Sequence, residues 1–149
     1  CTSGKYARKR APWTNFTDWA VTTNEPWTAF PKKFKKLKKL PTVAWVIPNL
    51  NDDMHDGTVA AGDTWLKNNL ADYATWAMTH NSLLIVTWDE DDGSQSNHIA
   101  TIFIGPMVKP GQYNEHITHD TLLTTIEAMY GLTPLGNAAN VQPIKDVWQ

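Results

Sequence analysis

LLIVTWDEDDG, residues 83–93, carries the main signal for the fold class. Its first six residues form a continuous apolar run rich in β-branched side chains, which is typical of a strand buried on both faces of a parallel sheet. Four carboxylates follow in a row, and because like charges repel, this loop needs either solvation or a counter-charge. The stretch therefore predicts a buried strand that ends in an acidic loop.

The segments on either side predict alternating strands and helices. Apolar patterning and capping residues indicate a strand at 42–47, a helix at about 58–79, a strand at 99–104 and a helix at about 119–130. Thr58 and Thr118 are suitable N-caps for the two helices. Together with residues 83–88, this order predicts an α/β protein, a partial α/β/α sandwich with a mainly parallel sheet.

The chain of 149 residues divides by composition into two parts. Residues 1–41 lack periodicity and predict an irregular Trp-rich wrap followed by a Lys-rich loop, whereas residues 42–149 carry the α/β pattern. Trp13, Trp19 and Trp27 are interpreted as anchors that hold the wrap on a core. Cys1, the single cysteine, has no internal disulfide partner and could pair with another chain. The chain does not begin with Met, so we expect a processed or partial product.

Charge is distributed unevenly along the chain. Residues 31–40, PKKFKKLKKL, hold six of the thirteen cationic side chains, and the remaining seven face fifteen acidic ones. A nucleic-acid binder is normally basic across a whole face, so we expect no nucleic-acid partner. The segment Lys32–Lys39 is either a solvated surface or a contact for an anionic membrane or another polyanion. No apolar run is long enough to span a bilayer, and no signal peptide is visible.

Polar chemistry is concentrated where two predicted strands end, which is where α/β sheets bind ligands. The loop after residues 42–47 is NLNDDMHDG, residues 49–57, in which His55 lies among carboxylates. Such a histidine can bind a metal, donate to a phosphate oxygen or act as an acid, or it is an ordinary loop residue. The loop at 89–93 suits a hard divalent cation, but it is equally suited to an acidic turn completed by Gly93.

Three other histidines leave alternatives open. His98 could reach back to the acidic loop or could be structural, and His116 and His119 are interpreted as surface residues at the start of the last helix. A calcium module built on the acidic loop is a weak alternative, because the spaced ligands of an EF-hand are absent. The sequence contains no G-x-S-x-G, P-loop, G-x-G-x-x-G or zinc-type cysteine pair, and we expect no organic cofactor.

Three ordered segments resemble a known family. They are IPNLNDDMHDGTVAAGDTWLKNNL at 47–70, LLIVTWDEDDGSQSNHIATIFIGPMVKPG at 83–111 and THDTLLTTIEAMYGL at 118–132. Together they are similar to the secreted acid phosphatase and phospholipase C-type phosphoesterases, whose fold is alkaline-phosphatase-like. CTSGKYARKRAPWTNF, residues 1–16, also looks like an internal stretch of bacterial members.

The resemblance implies roles for five residues. Asp89 and Glu90 would be paired metal ligands, His55 would face the phosphate as a catalytic and substrate-binding residue, and Asp53 would be the acidic catalytic position of the same loop. His98 would contact the substrate. The cofactor would be a divalent metal ion: oxygen ligands suit Mg, Ca or Mn, and a histidine would also admit Zn or Fe. The protein would be secreted or periplasmic.

The chain departs from the family pattern in one respect. The Glu-Asn pair and the Ser or Thr nucleophile of the family's amino-terminal half have no counterpart in this sequence. The chain therefore resembles the carboxyl-terminal half of such an enzyme, with the amino-terminal half as its expected partner and a phosphate ester as its substrate. Metal-assisted hydrolysis of phosphate esters is the first hypothesis, and a non-catalytic fragment used for binding or assembly is the second. The residues do not distinguish phosphomonoesters from phospholipids and other diesters.

Overall fold

The computed structural model describes residues 2–18 and 20–149, so the predictions for Cys1 and Trp19 lie outside the described residues. The chain forms two compact units, residues 1–79 and residues 80–149. The predicted division at residue 41 falls inside the first unit and stays a prediction about the family domain.

The first unit begins with short elements and ends with a long helix. Strands β1 (Thr2–Ser3) and β2 (Tyr6–Ala7) form a small antiparallel hairpin. Irregular chain with 3-10 turns at Arg8–Arg10, Pro12–Asn15, Val21–Thr23 and Trp27–Ala29 follows. Helices α1 (Phe34–Leu37) and α2 (Val59–Ala77) complete the unit. The Thr58 side chain accepts a hydrogen bond from Ala61 N at 3.1 Å, as a helix N-cap does.

Trp27 anchors the irregular segment on α2. Its ring lies 4.5 Å from that of Phe30 and 5.1 Å from that of Trp65, measured between ring centroids. Its indole N–H donates to the Asn69 side-chain oxygen at 2.9 Å. A buried indole usually finds such a polar partner, so the contact fixes both the position and the orientation of the ring.

The strand predicted at 42–47 is wrong. Among the residues that the structure describes, no β-ladder includes residues 43–47, and Val43, Trp45 and Ile47 are exposed, Trp45 by 62%. An apolar run becomes a strand only when another strand satisfies its backbone hydrogen bonds. The hairpin β1–β2 provides no such neighbour for this segment.

The second unit contains the predicted strand pair in a different arrangement. Strand β3 (Leu84–Thr87) pairs with β4 (Thr101–Ile104), with Leu84 opposite Ile104 and Thr87 opposite Thr101. The pairing is antiparallel, and β3 is half-buried rather than fully buried. The protein therefore mixes helix and sheet as expected of an α/β chain, but the mainly parallel sheet is not found in the described residues.

Helix α3 (His119–Met129) closes the second unit. Thr118 and Thr121 form a reciprocal capping box at its start, and Gly131, with φ of 63°, follows its end as predicted. The inner face of α3 is polar: the Thr125 hydroxyl accepts from Ile144 N at 2.9 Å, and the buried Glu127 carboxylate accepts from Leu135 N at 3.1 Å. These bonds hold the carboxyl-terminal segment. No helix in the described ranges is long and apolar enough to cross a bilayer.

Candidate active site

The loop at residues 49–57, called the histidine loop below, is built around Asn49. The Asn49 backbone carbonyl accepts hydrogen bonds from the N–H groups of Asp52 and Asp53, both at 2.9 Å. Its side chain accepts from Asn51 N at 2.9 Å and donates to Asp52 Oδ2 at 2.6 Å. Asparagine side chains commonly form such local bonds to nearby backbone. The loop is therefore a closed, hydrogen-bonded turn rather than a flexible link.

Two glycines let the histidine loop close. A Cβ atom at position 57 would collide with the backbone carbonyl of Asn51, so only glycine permits this approach. A Cβ at position 62, on α2, would lie 2.5 Å from Met54 Cε, so Gly62 provides the space in which the Met54 side chain lies. Met54 itself has φ of 72°, a left-handed conformation that is strained for a side chain of this kind. The surrounding contacts hold this strained residue between Asp53 and His55.

Asp53 orders the loop from a mostly buried position. Its side chain is only 9% exposed, and Oδ1 accepts from His55 N at 2.9 Å. Oδ2 lies 3.7 Å from the Arg10 guanidinium Nε, and this pair links the loop to the amino-terminal segment. Lys5 adds a second link, because its ammonium donates to Asn51 Oδ1 at 2.7 Å. No local pattern around Arg10 predicts this contact, because it joins residues that are 43 positions apart.

The His55 ring is oriented by Asp56. Nδ1 lies 2.7 Å from Asp56 Oδ1, and because a carboxylate can only accept, Nδ1 carries the proton in this contact. The hydrogen bond from His55 is the main cause that lowers the pKa of Asp56 below its ordinary value of 3.8. This contact leaves Nε2 as the ring atom for chemistry, on a side chain that is half exposed. Asp56, rather than Asp53, is the carboxylate that contacts the ring.

The acidic loop, residues 89–97, uses one of its carboxylates for its own backbone. Asp91 Oδ1 accepts from Gly93 N at 2.7 Å, while Oδ2 accepts from Gln95 N at 2.7 Å and Asn97 N at 2.9 Å. The bond from Gly93 is the first of the causes that lower the Asp91 pKa below 3.8, and those from Gln95 and Asn97 add to it. Ser96 and Asn97 turn with φ of 55° and 61°, which brings their backbone to this carboxylate.

The Asp92 carboxylate also accepts hydrogen bonds from within the loop, whereas Asp89 and Glu90 lie at the end of the loop that follows β3. The N–H and the hydroxyl of Ser94 both donate to Asp92 Oδ1. Asp89 and Glu90 are exposed, two residues beyond the end of β3 and three residues beyond it respectively. The carboxylates of Asp91 and Asp92 thus shape the loop, whereas Asp89 and Glu90 lie nearer the strand end.

His119 contacts the acidic loop. Its Nε2 lies 2.8 Å from the Asp89 backbone carbonyl, and since a carbonyl only accepts, Nε2 is the donor. His98 is exposed in the same loop region, and its backbone N–H donates to Gln95 O at 3.1 Å. His116 is exposed, as predicted for a surface residue. His119 is exposed as predicted too, but the sequence contains no signal for its hydrogen bond to Asp89 beyond its place at the first position of a helix.

The predicted site residues fall into two groups. Asp53 and His55 lie together in the first unit, and Asp89, Glu90 and His98 lie in the second. Across residues 2–18 and 20–149, no three His, Cys, Asp or Glu side chains form a group that could hold a metal ion. Asp89 and Glu90 are the right donor type for a hard cation, but two carboxylates are only part of the ligand set that such an ion requires.

Comparison with known proteins identifies the class to which the chain belongs. Residues 1–133 match the model of the phosphoesterase family, and the chain belongs to that family. It is 54% identical over 99% of its length to a phosphatidylinositol-3-phosphatase of Mycobacterium tuberculosis, of which it covers 49%. It is 31% identical over 66% of its length to an acid phosphatase of Aspergillus fumigatus, covering 24% of that protein. A probable acid phosphatase of Kluyveromyces lactis is 28% identical over 88% of the chain, which covers 34% of it.

The chain thus spans about half, or less, of the length of these curated relatives. No solved structure matches it.

Proposed function

We propose that the chain is part of a hydrolase that cleaves phosphate esters with the help of a divalent metal ion. Membership of the phosphoesterase family carries this proposal, and the phosphatase names of the relatives support it. The chain contributes His55 on one loop and the pair Asp89 and Glu90 on another. A complete site further requires a nucleophile and additional metal ligands.

His55 handles the proton of the leaving group. Because Asp56 holds Nδ1–H, a second proton on Nε2 gives an imidazolium that can donate to a phosphate oxygen and then to the leaving alkoxide. Asp53 serves the reaction by fixing the His55 backbone, and His98 is the second histidine available to contact substrate.

Asp89 and Glu90 are the residues that would hold the metal ion. Both are exposed, adjacent and carried at the end of a strand, and hard divalent cations prefer such oxygen ligands. When bound, the ion would supply positive charge that neutralises the phosphate oxygens. His119 donates a hydrogen bond to the Asp89 carbonyl, and this bond limits the movement of the backbone at the two proposed ligands.

The substrate is proposed to be a phosphomonoester. The three relatives described above are named as phosphatases, and one is named for a phosphoinositide whose phosphate is a monoester. A 3-phosphorylated inositol lipid is therefore the first substrate to assay, with an aryl phosphate as the general substrate. Phospholipase C-like cleavage of a diester is the weaker alternative, and comparing the two substrates tests it.

The rest of the site is proposed to come from an amino-terminal half of the same enzyme. The relatives are at least twice as long as the chain, and the apolar segment 43–47 is an exposed surface that further chain would cover. In the whole protein, β3 would belong to a mainly parallel sheet in an α/β/α sandwich. Secretion or periplasmic location is proposed on the same family grounds.

Substitution of the metal pair tests the proposal. In the protein that includes the amino-terminal half, Asp89→Asn with Glu90→Gln should lower kcat/KM for an aryl phosphate by at least about 100-fold. Asp92→Asn is the matched control, because asparagine keeps the side-chain oxygen that accepts from Ser94, and it should stay within about threefold of wild type. Unchanged metal-dependent hydrolysis in the double variant would contradict the assignment of these ligands.

A second test concerns the leaving-group proton. His55→Gln should reduce kcat/KM by about 100-fold or more for a phosphate with a poor leaving group, because such a group needs protonation. The loss should be much smaller for p-nitrophenyl phosphate, whose leaving group is stable as an anion. His116→Gln, an exposed histidine without a described contact, is the control. Equal losses on both substrates would rule out this role for His55.

A non-catalytic role in binding or assembly is the second candidate. It is motivated by the lack of a recognisable nucleophile and of a convergent metal-binding group in the described residues. Calorimetric titration of the 149-residue chain with Mn²⁺ and light scattering distinguish the two. Stable assembly without metal binding, and no turnover when the amino-terminal half is supplied, would favour the second candidate.

A further inference from the structure

The residues 32–39, called the lysine segment below, form a compact basic surface on the first unit. The sequence there is KKFKKLKK, with six lysines and no acidic residue. Helix α1 and successive turns curl the segment: Lys36 N donates to Lys33 O at 2.7 Å, and Lys39 N donates to Lys36 O at 2.9 Å. Folding the chain in this way concentrates charges that an extended chain would spread apart.

Leu37 holds the lysine segment on the unit. Its side chain is 3% exposed and lines a small cavity with Phe30, Pro31 and Tyr73, beside α2. The described lysine side chains are all exposed: Lys32, Lys33, Lys36, Lys38 and Lys39. Among the residues that the structure describes, none of these five ammonium groups has an ion-pair partner. Among the described side chains of the segment, the buried one is therefore apolar and the exposed ones are cationic.

This charge is not matched by the rest of the chain. Removing the six lysines from the thirteen cationic residues leaves seven, against fifteen acidic ones, so the remainder is acidic. Six like charges on eight residues repel one another, and a dense anionic surface relieves that repulsion. A solvated surface with mixed charges would gain nothing comparable from such a contact.

The chemistry of the segment favours a bilayer over a nucleic acid. All six cations are lysines, which act as point charges and lack the bidentate fork with which arginine recognises a fixed phosphate. Single-stranded nucleic acids also need exposed aromatic faces for stacking, whereas Phe30, the described aromatic side chain beside the segment, is already stacked on Trp27. Diffuse attraction to many lipid head groups needs neither feature.

We propose that the lysine segment is a peripheral membrane contact that binds bilayers rich in anionic phospholipid. Among the described side chains of the segment, the apolar Leu37 is buried and the exposed ones are lysines, so the proposed contact is electrostatic. It goes beyond the proposed hydrolysis and does not depend on it, since adsorption needs no catalytic residue. Its consequence for an enzyme would be a high local concentration at a phosphorylated lipid surface.

Sedimentation with vesicles tests the proposal without any turnover. The full chain should bind vesicles of 70% phosphatidylcholine and 30% phosphatidylserine at 50 mM salt, and bind pure phosphatidylcholine at least about 100-fold more weakly. Raising the salt to 500 mM should release the bound protein because it screens the lysines. Equal binding to both vesicles, or binding that persists at high salt, would overturn the proposal.

A matched pair of triple variants locates the contact. Lys33→Gln, Lys36→Gln and Lys39→Gln together should lower the vesicle partition coefficient by about 100-fold, at about fivefold for each lysine. Lys67→Gln, Lys109→Gln and Lys145→Gln remove the same charge from exposed positions elsewhere and should change it less than about threefold.

Equal losses in the two variants would show general charge attraction and overturn the assignment to the segment. So would displacement of the protein from vesicles by equimolar single-stranded DNA, since that outcome would identify a nucleic-acid surface. Circular dichroism confirms that each variant is folded. Hydrolysis of a soluble aryl phosphate is a separate readout, so failure of the proposed function is distinguishable from failure of membrane binding.

Discussion

The histidine loop and the acidic loop resemble each other in composition but are held in different ways. Distant residues support the histidine loop: Lys5 and Arg10 bind it from the amino-terminal segment, and Gly62 of α2 makes room for Met54. The acidic loop is supported mainly from within, because the Asp91 carboxylate accepts three N–H groups of its own backbone.

The difference shows that carboxylates in one short run are not equivalent. Asp53 and Asp91 serve the shape of their loops, whereas Asp56 orients a ring, and Asp89 and Glu90 lie at a strand end. A loop with distant support should fail when the support is removed, whereas a self-contained loop should tolerate changes elsewhere in its unit. Four measurements test this contrast.

Alanine in place of the loop glycines should give the largest contrast. Gly57→Ala should destabilise the protein by about 3 kcal/mol, because the new Cβ collides with the Asn51 carbonyl and the backbone must move. The Cβ added by Gly93→Ala would meet no other atom. This variant should therefore lose only about 1 kcal/mol of stability, because alanine must adopt the positive φ of 82°. Urea denaturation measures both. Equal destabilisation by the two variants would show that the histidine loop does not depend on the close approach of Gly57 to the Asn51 carbonyl.

Removal of Arg10 should have the next largest effect. Arg10→Ala leaves the buried Asp53 carboxylate without its cation and should cost about 2 kcal/mol. Lys9→Ala, an exposed neighbour, should stay within about 0.5 kcal/mol of wild type. Asp53→Asn in the Arg10→Ala background should recover part of the loss, since the uncompensated charge is gone. A double variant less stable than Arg10→Ala would contradict this explanation.

A smaller effect is expected for the hydrogen bond that His119 donates to the acidic loop. His119→Ala should cost about 1 kcal/mol, because the Asp89 carbonyl loses its donor. His119→Gln keeps an N–H donor and should be closer to wild type, and His116→Ala should have no measurable effect. Hydrogen exchange localises the change. No difference between the His119 and His116 alanine variants would remove His119 from the support of Asp89.

The smallest effect is expected on the loss of stability at low pH. Hydrogen bonds in the folded state lower the pKa of Asp56 and of Asp91, chiefly from His55 and from Gly93 respectively. A carboxyl whose folded pKa is depressed stabilises the protein above its unfolded pKa, near 3.8, and this stability is lost as the pH falls through the folded value. Thermal denaturation between pH 5 and about pH 2 should therefore show a shallower acid decline for Asp91→Asn than for wild type. An unchanged decline would contradict it.

The helices could be predicted because their signals are local. Thr58 and Thr118 cap α2 and α3, and Gly131 follows the end of α3, each through contacts within a few residues. Strand pairing depends on residues that are distant in the sequence. The apolar run at 42–47 therefore predicts a sheet-forming segment, but it does not show whether another strand pairs with it. For the same reason, residues 83–104 predict two strands but do not predict that these strands pair in an antiparallel direction.

The candidate site was predictable only in part. His55, Asp89 and Glu90 stay candidates from the sequence, which marks them because charged residues after an apolar run are conspicuous. The structural use of Asp91 was not visible, since it depends on the left-handed backbone of Ser96 and Asn97. Arg10 was missed because its contact with Asp53 joins segments distant in sequence. Local chemistry identified the candidate residues, and the fold determined which of them support the others.

Gly57 has a consequence for recognising this loop in other sequences. At position 57 the loop has no room for a side chain, and the same holds at position 62, beside Met54. A carboxylate can be exchanged for another hydrogen-bond acceptor, but no side chain substitutes for empty space. A search for distant relatives should therefore give these two glycines, with the spacing that separates them from His55, more weight than the acidic residues that first attract attention.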